Sequence, residues 1–154
     1  MHLPNVSGYN LEREKTNFPA DFSGALNLVF IAFQRWHQDL IDGWVPFVAE
    51  LSQKYPGLNY YEFPTLARGN PLYRTLLNEG MRAGIPNSAT RARTITLYLD
   101  KAKFRQALDI PTEQDVWVYL FDPKGAATWR AAGPFTPEIG DALATAVNNY
   151  FTNL

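Results

Sequence analysis

Ala25-Leu26-Asn27-Leu28-Val29-Phe30-Ile31-Ala32-Phe33 sets the architecture of this chain. From Leu28 to Phe33 every residue is apolar, so an extended segment here must be covered on both faces, as a strand in the middle of a sheet is. The period then changes. Leu40, Ile41, Trp44, Phe47, Val48 and Leu51 recur at helical spacing, with Asp39 placed to cap the first turn, Pro46 expected to kink the helix and Tyr55-Pro56-Gly57 to stop it. A strand covered on two sides and followed by an amphipathic helix is an α/β unit.

The same alternation continues downstream. Leu58–Phe63 reads as a second strand bounded by Pro64, and Asn70-Pro71 opens a helix whose apolar face is Leu72, Leu76, Leu77 and Met81. Gly84-Ile85-Pro86 ends it, and the Gly, Pro, Asn and Ser of the stretch from Gly84 to Thr90 predict an irregular, exposed loop. Thr94–Leu99 is a third strand, after which Asp100 caps a short helix carrying Phe104 and Leu108. Val116–Phe121 is again apolar throughout. Asp122-Pro123-Lys124-Gly125 suits a type I turn, so 126–132 returns antiparallel before Thr136-Pro137 caps a last helix with Ile139, Leu143, Val147 and Phe151 inward. Upstream, residues 1–24 scatter Pro4, Gly8, Pro19 and Gly24 among Tyr9, Leu11, Phe18 and Phe22, which predicts an extended arm or hairpin over the core. The expectation is one domain over 1–154, an α/β three-layer sandwich with a mostly parallel central sheet and a C-terminal antiparallel hairpin.

Composition narrows the function. The 154 residues are 46% hydrophobic and 19% charged, as in a globular domain rather than a disordered chain. There is no cysteine, so the chain has no disulfide, thiolate nucleophile or thiolate-held metal of its own. Lys and Arg number 14 against 15 Asp and Glu, which gives no bulk field for nucleic acid. The start Met1-His2-Leu3-Pro4-Asn5 has neither a basic nor an apolar leader region, and Leu28–Phe33 falls far short of the roughly 20 residues that span a bilayer. A soluble, cytoplasmic protein with no direct membrane span is expected. The near-zero balance conceals an asymmetry: from Leu66 to Arg105 there are eight basic residues and two acidic ones, +6, which leaves −7 for the remainder.

The strand Leu28–Phe33, the loop with Trp36, the helix with internal Pro46 and the late hairpin Tyr119–Gly125 feeding a terminal helix together resemble the thioredoxin-like fold. Thr96-Leu97-Tyr98-Leu99-Asp100 followed by Phe104–Ile110 is similar to its peroxiredoxin branch, and the resemblance spans about residues 18–153. It implies a redox cysteine site between Arg35 and Asp42, where the chain reads Arg35-Trp36-His37-Gln38-Asp39-Leu40-Ile41-Asp42. It also implies a proline just before Val116, where Gln114-Asp115 stands. Without cysteine, oxidoreductase or peroxidase chemistry has no nucleophile. Among cysteine-free relatives of this fold, Leu108-Asp109-Ile110, Tyr119-Leu120-Phe121-Asp122, Gly125, Trp129, Gly133, Thr136 and Glu138 are similar to the assembly factor for the membrane sector of mitochondrial ATP synthase, although Thr128 stands where that family favours Arg. The similarity implies binding to a protein partner, in that family a membrane-protein subunit; no cofactor is expected.

Three groups of side chains are candidates. Trp36, flanked by Arg35 and His37 in a loop above the sheet, can anchor a partner. Arg82, Arg91 and Arg93 surround an irregular loop and can clamp a carboxylate or phosphate, or simply be solvated. His37, Asp39 and Asp42 sit where open α/β sheets place ligands and offer a rebuilt metal or acid–base site; against it, Asp39 and Asp42 suit the start of a helix and His37 a loop. The expected role is a redox-inactive binding or assembly module, with an enzyme or small-ligand binder at His37, Asp39 and Asp42 as the alternative.

Overall fold

The computed structural model of the protein describes residues 1–68 and 88–154. In chain order the elements are β1 (Val6–Asn10), β2 (Lys15–Phe18), β3 (Leu26–Ala32), α1 (His37–Lys54), β4 (Leu58–Ala67), α2 (Ser88–Arg93), β5 (Ile95–Leu99), α3 (Lys101–Ala107), β6 (Trp117–Phe121), β7 (Ala127–Ala132) and α4 (Pro137–Thr152). The strands form one sheet in the order β2-β1-β5-β4-β3-β6-β7. The helix expected after Asn70-Pro71 and the first part of the loop expected from Gly84 lie outside the described residues. The loop's second part is a correction, because Ser88–Arg93 is helical.

All seven residues of β3 and all five of β6 are buried, as their unbroken apolar runs demand. On one face, Ile41, Trp44, Val48 and Leu51 of α1 and Leu143 and Val147 of α4 cover Leu26, Leu28 and Phe30 of β3 and Val118 and Leu120 of β6. The opposite face of the same strands, Val29, Ile31, Tyr119 and Phe121, packs on Phe104 and Leu108 beneath α3 and on Leu3, Phe18 and Phe22 from the N-terminal region. The three layers therefore stand as expected. Thr136 accepts a hydrogen bond from the Ile139 N–H at the start of α4, and Asp100 one from the Lys103 N–H at the start of α3. Both side chains satisfy first-turn donors that the helix cannot.

The sheet is mixed rather than mostly parallel: only β3–β4 and β4–β5 run parallel, while β1–β2, β1–β5, β3–β6 and β6–β7 are antiparallel. From the seven-residue α3 the chain runs through 108–116 and enters β6 from the carboxyl end of β3, antiparallel to it. The N-terminal arm is a hairpin, but it extends the sheet beside β5 instead of lying across it. Strand β4 also runs through Pro64 to Ala67. Pairing with β3 runs to Ala32–Pro64, while the side toward β5 pairs at Glu62–Thr94 and again from Thr65–Leu97, so the proline sits where the two ladders overlap.

Candidate functional site

Strand β3 delivers the chain to its carboxyl end, and Phe33-Gln34-Arg35-Trp36 turns it into α1. The N–H groups of His37, Gln38 and Asp39 donate to the carbonyls of Gln34, Arg35 and Trp36 at 3.1, 3.2 and 3.2 Å. This tight lead-in satisfies the orphan donors of the first turn without a side-chain cap. Trp36, not Asp39, is the N-cap residue; Asp39 lies within the first turn, where its charge still complements the helix dipole.

His37 is not a loop residue. It is the first residue of α1 and is fully buried. Its Nδ1 accepts from the backbone N–H of Phe33 at 3.0 Å and of Gln34 at 3.3 Å, which puts the ring proton on Nε2, and Nε2 donates to the Gln114 carbonyl at 3.0 Å. The Gln34 side chain adds a bond to the Glu113 carbonyl. The imidazole thus pins the turn after β3 to the segment before β6, and both ring nitrogens are engaged by main chain. Asp39 and Asp42 project to solvent. Among the described residues, no three His, Cys, Asp or Glu side chains gather in a way that could hold a metal ion.

Beside this buried ring, Trp36 is 52% exposed. Its indole meets the His37 ring edge-on at 4.5 Å between centroids, and Arg35 next to it is exposed. The result is a large aromatic surface on a rigid base at the head of α1.

Glu62, which the sequence pattern passes over as one position of a strand, lies nearby. It points to the α1 face of β4 and is almost completely buried. One carboxylate oxygen accepts from the Gln38 amide at 3.0 Å, and the same amide nitrogen donates to Asp42 at 2.9 Å. Burial pushes the Glu62 carboxyl up from its ordinary value; the Gln38 hydrogen bond opposes that, the Asp42 charge adds to it and Arg93 opposes it.

The basic residues have separate fates. Arg91 bonds Glu12 at 2.6 Å, joining α2 to the N-terminal hairpin. Arg93 lies 3.8 Å over the Tyr60 ring and faces Glu62, which places it near the head of α1. Lys101 and Arg105 converge on Glu113 at 2.7 and 3.2 Å, and that double contact, led by the Lys101 hydrogen bond, lowers the Glu113 carboxyl from its ordinary value. Arg82 lies outside the described residues. Of the described basic residues in the +6 segment, Arg91, Lys101 and Arg105 are held in ion pairs and Arg93 lies over a ring, a feature that residue counting along the chain does not reveal.

No family model matches the chain, and neither does any protein in the curated set. The resemblance to the ATP synthase assembly factor accordingly gains no support. Solved structures do match. Arabidopsis thaliana ScoI with copper bound aligns at a TM-score of 0.63 and 9% identity over 97% of this chain and all of that one. The thioredoxin domain of a thiol-disulfide oxidoreductase from Bacteroides vulgatus aligns at 0.61 and 16%, covering 97% and 95% of the two chains. A thiol:disulfide interchange protein from a Bacteroides species gives 0.59 and 16%, covering 97% and 87%. At such identities the likeness carries the fold and not the chemistry. No helix among the described residues is long and apolar enough to cross a membrane. The chain has the thioredoxin-like fold, and it carries that fold without a single cysteine.

Proposed function

We propose that this protein is a redox-inactive thioredoxin-like binding module, and that the Arg35-Trp36 surface at the head of α1 docks a protein partner. The observation that carries the reading is the pairing of an exposed indole with a buried, fully bonded imidazole under it. A solvent-facing Trp on a rigid turn loses little side-chain freedom on binding and offers a large contact area, which is why Trp and Arg dominate interface hot spots. Arg93, near the same helix head through Glu62, supplies positive charge at the margin.

The test is affinity capture with the intact chain from native soluble fractions and from detergent-solubilised membranes, where a membrane-subunit partner would be found. Trp36→Ala is expected to weaken partner binding by on the order of 2 kcal/mol with an unchanged melting temperature. Partners retained equally by wild type and Trp36→Ala would overturn the assignment of this face.

A further inference from the structure

Arg93, the last residue of α2, stands between two unlike neighbours on β4. Its guanidinium lies 3.8 Å over the Tyr60 ring, and its Nε donates to the Ala89 carbonyl at 3.3 Å. Tyr60 and Glu62 are two positions apart in one strand, so their side chains share the α1 face about 7 Å from one another. Thr94, next in the chain after Arg93, is bridged to Glu62 through the main chain. One cation is therefore placed beside both an aromatic face and a buried carboxyl. It rests on the ring, and it acts on Glu62 through its charge without a hydrogen bond between them.

Glu62 has few other sources of relief. Among the described residues, α1 turns Gln38 and Asp42 toward it, β3 places Phe30 opposite it and β5 places Thr94. Gln38 gives a single neutral amide, which it shares with Asp42, and Asp42 is a like charge. Arg93 is the cation that faces the group. A neutral Glu62 offers Arg93 no charge, so the π face of Tyr60 holds the guanidinium. An ionised Glu62, cut off from water, attracts that guanidinium far more strongly than an exposed carboxylate would.

We infer that Arg93 is a proton-operated clasp between α2 and β4, seated on the Tyr60 ring while Glu62 is protonated and drawn onto the Glu62 carboxylate when that proton leaves. The proton passes to solvent, and a charge-assisted pair forms at the end of α2. Because Arg93 favours the ionised form, it opposes the upward push that burial and Asp42 exert on the Glu62 carboxyl. The two seats lie side by side on one strand, so the exchange asks only for side-chain rotation. A two-state element biased by one proton is a pH switch. It does not rest on docking at Trp36.

NMR of the isotopically labelled full chain tests the clasp from about pH 4 to about pH 9. The signals followed are the Glu62 carboxyl carbon and the Arg93 Cδ–H protons, which the ring current of Tyr60 moves upfield. Both are expected to titrate with one midpoint, above the ordinary carboxylate range, with the Arg93 protons moving downfield as Glu62 ionises. Glu62→Gln should leave the Arg93 signal flat. Arg93→Gln should raise the Glu62 midpoint by about one pH unit, whereas Tyr60→Leu removes the competing seat and should lower it. Should Tyr60→Leu fail to fold, as judged by its circular dichroism, the other two variants carry the test. An Arg93 signal that stays flat while Glu62 titrates, or that titrates equally in Glu62→Gln, overturns the proposal. So does a Glu62 carboxyl that shows no titration in that range, or a midpoint unmoved by Arg93→Gln.

Discussion

His37 and Glu62 are two buried polar side chains next to the same stretch of α1, and their surroundings treat them in opposite ways. His37 gives each ring nitrogen a main-chain partner, so its burial converts three otherwise stranded backbone groups into bonded ones. Glu62 is buried against a neutral amide shared with Asp42, and its carboxyl is pushed up because the charged form is poorly met there. Burial stabilises where the polar inventory closes and destabilises where it does not.

The sharpest break in this comparison would come from His37→Ala. It strands the N–H groups of Phe33 and Gln34 and the carbonyl of Gln114, so a loss of about 3 kcal/mol is expected, read as a fall in the urea midpoint. A loss below about 1 kcal/mol would mean that water replaces the ring easily and that the pin is not structural.

Glu62→Gln should do the reverse, raising stability by on the order of 1 kcal/mol near neutral pH by replacing a badly solvated carboxylate with an amide. The pH dependence has a definite sign. Because the folded-state value of Glu62 is raised, its contribution is fully present below the ordinary carboxylate range and is lost as pH rises through the raised value. Melting curves of wild type and Glu62→Gln should therefore converge in acid and separate toward neutrality. Parallel curves would show that Glu62 reaches solvent.

Glu113 supplies the opposite slope. Its folded-state value is lowered by Lys101 and Arg105, so its contribution is present above the ordinary range and lost as pH falls through the lowered value. Being a partly exposed pair, it is worth under about 1 kcal/mol, visible as a smaller acid-side fall in the melting temperature of Glu113→Gln than of wild type. Trp36→Ala is the smallest effect on folding, within about 0.5 kcal/mol; a larger loss by thermal melting would make Trp36 a packing residue and remove the contrast between it and His37.

What could be read from the residues follows the range of the forces involved. The unbroken apolar runs of β3 and β6 announced strands covered on both sides, and the caps Asp100 and Thr136 announced their helices, because burial and capping leave local marks. The direction of β6 leaves none, since an apolar run is the same read either way. Pro64 reads as a strand end because the ladders that carry β4 past it are a property of three strands, not of one. The head of α1 lies three residues ahead of the Asp39 cap that the sequence suggests, and the role of His37 depends on Gln114, 77 residues away. Glu62 was hidden in plain alternation. Its place on the face of Leu58 and Tyr60, inside a strand flanked on both sides, is the one signal that a carboxylate there would be buried.

The bonds between Met1–Leu3 and 125–127 have a practical consequence. They run antiparallel, so residues fused ahead of Met1 are aimed along the outer edge of β7 toward Thr128 and Arg130, where a purification tag can zip onto the sheet. A tag on the exposed Leu154 is aimed elsewhere. Two preparations of the same chain, differing only in which end carries the handle, are thus expected to differ in how fast the outward amides of Arg130 and Ala132 exchange with solvent.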